Sequence, residues 1–544
     1  MKMPSATRLQ RIELLIAIVL TVILVALHLF RLASAGPLWR DEISSLTLAT
    51  QPNWDALWKA LIYDPFPALF FTTLRTWHGL FGGSDFALRS LGCLIGFICL
   101  AGFWVSARWT NRRAPLLTLA LLGFSPTLII WGDSLRPYGV AVFCIVLVFG
   151  ALWRVVNDPR PVRIVVAAAL AVLSVQAILT NALLLFACGT AAAFVAARRR
   201  QWGRAMIVLG VGILAGLSLL PYANVLRATS DWAEIRKFPL PLGVHVGVLA
   251  EALQNAGNTS LWLWIAVALA AVTVTIWSQW RSRASAGALE DRDARLYALL
   301  AAVLGCFTTI LFFCRLQWPS NIWYYLPMLA LVAVAFDQAL DFGARSQKAA
   351  SLRIVAAIAC VLSSIGGVVK IQERASNLDV IGLILEKHAA PDDLIVVYPF
   401  VDGITFKRYF HGTTPWLTIP KIDDLGLHRW DQLMEQARTE NAIAPVLDRI
   451  NATLRSGRQV WVATTFPLVA PAGSPPPVLP LRPSQPRRIG YFLGGWREHL
   501  IANLREHTEH SAPINVPLEQ PVSRYERSHL FVFSGWKDSA DPTR

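Results

Sequence analysis

Three short polar clusters interrupt an otherwise apolar chain, and each carries residue types suited to a reaction at a membrane boundary. The first is Leu38-Trp39-Arg40-Asp41-Glu42, just past the end of a hydrophobic run. Adjacent carboxylates there are costly unless solvated or used, and a used one can take a proton from an attacking hydroxyl. The second is Tyr63-Asp64-Pro65-Phe66-Pro67-Ala68-Leu69-Phe70, where a rigid turn feeds an apolar helix. Asp64 is either a plain helix-start residue ahead of an early proline or part of the chemistry. The third is Trp131-Gly132-Asp133-Ser134-Leu135-Arg136-Pro137-Tyr138, a short turn between two apolar runs. Its Arg136 is an interfacial anchor or a cation that holds a lipid phosphate. Metal chemistry has no comparable signal. No His or Cys cluster accompanies Asp41-Glu42, and the seven cysteines lie in or at the end of apolar segments without metal-ligand spacing. His507-x-x-His510 has helical spacing but sits in a polar stretch, which reads as a solvated face.

The elements that must position these residues are membrane spans. Apolar residues make up 55% of the 544 and charged residues only 16%, the composition of a multi-span membrane protein. A net charge of +15 raises the question of a nucleic-acid partner. The Arg residues answer it by falling in short clusters between apolar runs, as in Arg112-Arg113, Arg160 with Arg163, and Arg198-Arg199-Arg200, the pattern of cytoplasmic loops. A span needs about 20 apolar residues. That length predicts eleven: 12–34, 86–107, 115–131, 137–156, 163–180, 182–197, 205–225, 260–280, 296–314, 323–340 and 353–369. With the N-terminus inside, the inner loops hold about twenty Lys and Arg against about eight in the longer outer loops before Ile371, so the expected topology is N-in and C-out. The first apolar run is too long for a signal peptide and is read as a retained helix.

The fold expected is therefore an α-helical polytopic membrane protein with a C-terminal soluble α/β domain. Residues 1–370 form the transmembrane part, with outer loops 35–85 and 226–259, and residues 371–544 the extracytoplasmic domain. In the latter, Asp393–Tyr398 and Gln459–Ala463 are strand-like, 376–388 and 490–507 are amphipathic helices, and 467–488 is a Pro-rich loop. The sequence holds no internal repeat, P-loop, nucleotide-binding glycine motif or nucleophile elbow.

Taken in order, the clusters resemble the motifs of the glycosyltransferase-C superfamily, nearest to protein O-mannosyltransferases and the bacterial aminoarabinose transferases that modify lipid A. In that family an acidic pair follows the first span, then come a D-x-H-P-P-L-like segment, a stretch opening the second helix, and an Arg-Pro-Tyr turn. The matches are Asp41-Glu42, Asp64-Pro65-Phe66-Pro67-Ala68-Leu69, Phe81–Arg89, and Leu135-Arg136-Pro137-Tyr138. They span about the first 150 residues, and the plan of helices plus outer domain spans the whole chain. Two departures stand out. The family's His and second Pro are Phe66 and Ala68 here. Its late Arg-Tyr pair appears as Trp323-Tyr324-Tyr325-Leu326-Pro327, with Arg315 as the nearby substitute cation.

The resemblance implies a polyprenyl-phosphate sugar donor and an inverting transfer to a glycan, lipid or protein acceptor. Asp41 is then the base, and Glu42 an alternate base or an orienting neighbour. Arg136, Arg89 and Arg315, in that order, are cations for the leaving phosphate. Tyr138, Trp39, Tyr324 and Tyr325 are contacts for the sugar. No cofactor is expected; some superfamily members use a divalent metal, which these residues do not support. The setting implied is a bacterial inner membrane, with the active site facing the periplasm and with membrane lipids as further partners. A multi-span transporter is the alternative. It would place charge within the spans, and these spans are nearly free of it, their acids and bases gathering at the outer ends.

Overall fold

The computed structural model of the chain describes residues 8–112, 114–254, 257–280, 286–341, 347–468, 473–482 and 488–538. Arg113, parts of the loops 281–295 and 341–353, and parts of the Pro-rich stretch lie outside the described residues. The chain forms two compact units. A helical unit takes the chain up to Ala33, then Phe66–Ala223 and Pro239–Ile371; a sheet unit takes Ser34–Pro65, Asn224–Phe238 and the chain from Gln372 onward.

Among the described residues nine helices are long and apolar enough to cross a membrane, and the chain is an integral membrane protein. Of the other expected spans, 163–180 is an apolar helix of 17 residues, Pro161–Ala177. The expected span 115–131 is not one helix. A short turn at Leu116–Thr118 runs into a π-turn at Leu119–Gly123, and a new helix starts at Pro126 and ends at Gly132. Pro126 brings no N–H and excludes the helical region for the residue before it, so Ser125 is extended at φ −72° and ψ 123°.

Burial sorts the helices. Tyr138–Asn157 and Leu326–Ala339 are covered on nearly every side, whereas Arg8–Ser34 exposes Leu15, Val19 and Val22, and Trp202–Leu217 exposes Met206 and Ile213. Bare apolar faces of this kind are what lipid tails cover. Small residues let the central helices approach: a Cβ at Gly102 would strike Phe143, and one at Gly150 would crowd Ser106 and Trp109. Tyr297 stacks on Phe149 at 4.8 Å and on Trp153 at 5.3 Å, and its hydroxyl donates to the Phe149 carbonyl at 2.8 Å.

The spans carry more charge than their hydropathy implies. Asp337, wholly buried, meets Arg112 at 3.0 Å and Arg353 at 2.8 Å and accepts from the Thr118 hydroxyl at 2.9 Å. Glu13 and Asp341 stand 3.7 and 3.3 Å from the same Arg353. A second buried pair joins His28 to Asp133 at 2.7 Å. His28 with Asp133 and Arg112 with Asp337 are matched across more than 100 residues, so a hydropathy window sees one polar residue where the fold holds a pair.

The sheet unit is built on five strands in the order β2-β1-β3-β5-β4. β1 (Leu394–Tyr398) runs parallel to both β2 (Trp416–Thr418) and β3 (Val460–Thr464). β5 (His529–Trp536) pairs antiparallel with β3 and with the edge strand β4 (Thr508–Ile514). Every residue of β1 and β3 is buried, as unbroken Val- and Ile-rich runs require. The core joins Ile395, Val397, Trp461 and Leu530 to Leu378, Ile381 and Leu385 of the helix Leu378–His388 and to Phe406 and Phe410. The second expected amphipathic helix is Ile489–His507. It ends at His507, and His510 lies in β4, so these two histidines do not share a helical face.

Candidate functional site

The predicted site residues fall into two groups, one in each unit. In the sheet unit the segment carrying Asp41 begins at a glycine turn, Gly36 at φ +67°. The Ala35 carbonyl accepts from the Ala375 N–H at 2.8 Å, and the Leu38 N–H donates to the Tyr409 hydroxyl at 2.7 Å. Trp39 is the extended N-cap of the helix Arg40–Ala49, and its N–H donates to Glu42 Oε2 at 3.3 Å. A carboxylate reaching back to the cap amide at the positive end of a helix explains an acid at this position. Glu42 is 1% exposed. Of its two expected roles, orienting neighbour fits this bond.

Arg40 locks the same turn. Its Nη1 donates to Asp402 Oδ1 at 3.1 Å and to the Tyr525 carbonyl at 2.8 Å, with Glu526 Oε1 at 3.5 Å. Thr405 donates to Glu526 at 2.9 Å. The Trp39 ring lies 5.3 Å from the Arg40 guanidinium and 6.4 Å from Tyr525. Burial drives both acids upward against the pull of Arg40: the Asp402 carboxyl is pushed up to about 6, and Glu526 well above its ordinary range. An acid whose folded value is raised contributes stability below its unfolded value, and loses it as pH rises through the folded value. For Asp402 that window runs from about 4 to about 6. Thermal unfolding followed by tryptophan fluorescence should therefore show wild type losing stability across it relative to Asp402→Asn, which keeps the Arg40 contact but cannot ionise. Parallel curves for the two proteins would contradict this.

Asp41 itself is engaged by a residue that the sequence did not single out. His428 Nε2 stands 3.1 Å from Asp41 Oδ1, and Arg40 Nε is 3.9 Å from the same oxygen. The Asp41 side chain is 21% exposed and that of His428 10%. The His428 ring lies nearly parallel to Trp430, 5.7 Å centre to centre at 12°. Trp430 is held in turn by Trp232 (6.3 Å) and by the Arg236 guanidinium (4.5 Å). Trp232 Nε1 donates to the Ile62 carbonyl at 3.2 Å. Asp64 is buried at the end of the turn Leu61–Tyr63, and the neighbouring Tyr63 hydroxyl donates to Asp431 at 3.3 Å. Arg429 ties the stretch together through Asp431 (2.7 Å) and Asp424 (2.8 Å). A carboxylate held in place and partly open to solvent is suited to receive a proton.

In the helical unit the Arg136 guanidinium lies 4.7 Å from the Phe66 ring centre, and Phe66 packs edge-on to Tyr138 at 6.1 Å. The residue standing where the resemblance expects histidine thus cradles the cation instead. Tyr138 reaches Tyr324 (6.2 Å), and Phe313 stacks on Tyr324 (5.9 Å) and meets Tyr325 edge-on (5.4 Å). The Tyr325 hydroxyl bonds Ser320 Oγ at 3.0 Å, as does His245 Nδ1. Two glycines bring the Arg136 turn against its neighbours: a Cβ at Gly92 would overlap the Asp133 carbonyl, and one at Gly139 the Gly132 carbonyl. Arg89 is buried in the second turn of the helix Asp85–Trp109. Arg315 is exposed in the last turn of Ala286–Leu316 and makes no hydrogen bond or ion pair among the described residues. The structure brings Arg136, Tyr138, Tyr324 and Tyr325 into one cluster and leaves Arg315 outside its ring contacts. No group of three or more metal-ligating side chains occurs among the described residues.

No protein-family model matches the sequence, and no curated protein matches it. Solved structures do match the fold. ArnT from Cupriavidus metallidurans in the apo state superposes with a TM-score of 0.50 at 12% identity, covering 82% of this chain and 92% of that one. The oligosaccharyltransferase of Archaeoglobus fulgidus in the apo form gives 0.50 at 10% identity, covering 83% of this chain and 69% of that one. The same ArnT bound to undecaprenyl phosphate gives 0.49 at 11% identity over 82% of this chain and 92% of that one. The chain shares the fold of these glycosyltransferase-C enzymes, the superfamily that its motifs resemble.

Proposed function

We propose that this protein is a membrane glycosyltransferase that moves a hexosyl or pentosyl residue from a polyprenyl-phosphate carrier to an acceptor hydroxyl, with inversion at the anomeric carbon. Asp41 is the base. The observation that carries this reading is the Asp41 carboxylate, held on one oxygen by His428 at 3.1 Å and 21% exposed. It sits in a segment pinned by the Arg40 lock, so its position is set before substrate arrives. Arg136 stabilises the charge that develops on the departing phosphate, with Arg89 and Arg315 as further cations, and Tyr138, Tyr324, Tyr325 and Trp39 contact the sugar. The undecaprenyl phosphate bound by ArnT is the class of carrier proposed. The excess of Lys and Arg in the loops read as inner supports an N-terminus inside, in a bacterial inner membrane with the reaction on the periplasmic face.

The test is release of free polyprenyl phosphate by the purified protein in nanodiscs, offered a panel of polyprenyl-phosphate sugars together with glycan, lipid and peptide acceptors. Release from one donor, dependent on acceptor, is the expected result. No release from any donor by folded protein would overturn it. The transporter alternative draws on the buried His28–Asp133 pair, an acid–base couple of the kind that transporters use. Solute flux without donor turnover would favour it.

A further inference from the structure

We propose that His428 is the positioning residue for the base: its Nε2–H holds Asp41 Oδ1 and keeps the carboxylate aimed. This rests on the reading of Asp41 as the base and adds to it a residue from a different part of the chain. The contact is 3.1 Å long, between side chains 387 residues apart. His428 Nδ1 is buried with no hydrogen-bond partner among the described residues. With Nδ1 unbonded, the ring's one hydrogen bond is the one that Nε2 donates to the Asp41 carboxylate. Trp430, parallel to the ring at 5.7 Å, fixes its plane, and Trp232 and Arg236 back Trp430.

The neighbouring charged groups also make bonds elsewhere. Arg40, 3.9 Å from Asp41, is bound to Asp402 and Glu526; Arg429 is bound to Asp424 and Asp431; Asp431 also accepts from Tyr63; and Glu42 accepts from the Trp39 amide. In the transfer, the acceptor oxygen forms its bond to the anomeric carbon as the carbon–oxygen bond to the phosphate breaks, and the electron pair leaves on the phosphate. The acceptor's proton goes to the Asp41 carboxylate and then to water. His428 neither gives nor takes a proton in this sequence. It fixes how the carboxylate faces the acceptor.

The experiment is steady-state transfer by wild type, His428→Ala, His428→Gln, His428→Asn and Asp41→Asn, each checked for its melting temperature. His428→Ala should lower kcat by up to about 100-fold, with the donor KM within about threefold. Gln, whose amide nitrogen reaches the place of Nε2, should recover most of the rate; Asn, whose amide falls short at the place of Nδ1, should not. Gln no better than Asn, or a raised donor KM with unchanged kcat in His428→Ala, would overturn the proposal even where transfer falls. If the Ala variant does not fold, the Gln–Asn comparison decides. An inactive Asp41→Asn beside a fully active His428→Ala would remove His428 and leave the base in place. Full activity in Asp41→Asn would remove both.

Discussion

Asp41→Asn should lose transfer by about 10²- to 10⁴-fold while expressing and melting like wild type. The size follows from what a positioned base contributes when it takes a proton in the transition state. The preserved fold follows from the site. Asn keeps an oxygen that can accept from His428, and its amide has nearly the volume of the carboxylate. Asp41 lies in the first turn of its helix, where loss of one negative charge costs only a few tenths of a kcal/mol to about 1 kcal/mol. The capping bond belongs to Glu42 and the lock to Arg40, so neither depends on Asp41. Glu42→Gln is the informative companion. Its amide oxygen can still accept from the Trp39 N–H, so it should keep most of the activity; an inactive Glu42→Gln beside an active Asp41→Asn would transfer the role of base to Glu42. The measurement is release of polyprenyl phosphate at saturating donor and acceptor.

The membrane character of the chain and its C-terminal α/β domain were legible in the sequence, because apolar runs and strand-like runs are local properties. β1 and β3 were legible for the same reason, since both are unbroken apolar runs with every residue buried. β4 was not. It is an edge strand, largely exposed, whose Glu509, His510 and Pro513 carry no apolar pattern but suit an unpaired edge. The Asp337 network and the His28–Asp133 pair were illegible because neutralisation happens between residues that only the fold brings together. His428 is the sharpest case. It is a lone histidine with no motif around it, and its meaning lies in one contact to a carboxylate 387 residues earlier. Nor does composition reveal that 34–65 and 224–238 fold with the C-terminal unit, although Trp232, Ile62 and Trp430 now show what joins them.

Arg136→Ala should lower kcat by about 10²- to 10³-fold and raise the donor KM far less. The split comes from charge accounting on the donor. Bound in the ground state, a sugar phosphodiester carries one negative charge; as the carbon–oxygen bond breaks, the carrier leaves as a phosphomonoester with a second charge developing on the departing oxygen. A fixed guanidinium therefore interacts more strongly with the transition state than with the ground state, and that difference appears in kcat. Arg136 is well placed to be fixed: its turn is wedged against glycines at 92 and 139, and its guanidinium lies 4.7 Å from the Phe66 ring centre. Arg136→Lys keeps the charge but not the planar fork that bonds two phosphate oxygens, so it should fall between wild type and Ala. Phe66→Leu, which removes the ring under the cation and no charge, should cost about tenfold or less. Equal losses in Ala and Lys would make the fork, not the charge, the working feature. A raised donor KM with unchanged kcat would mean that Arg136 only anchors the donor, and would pass the transition-state role to Arg89.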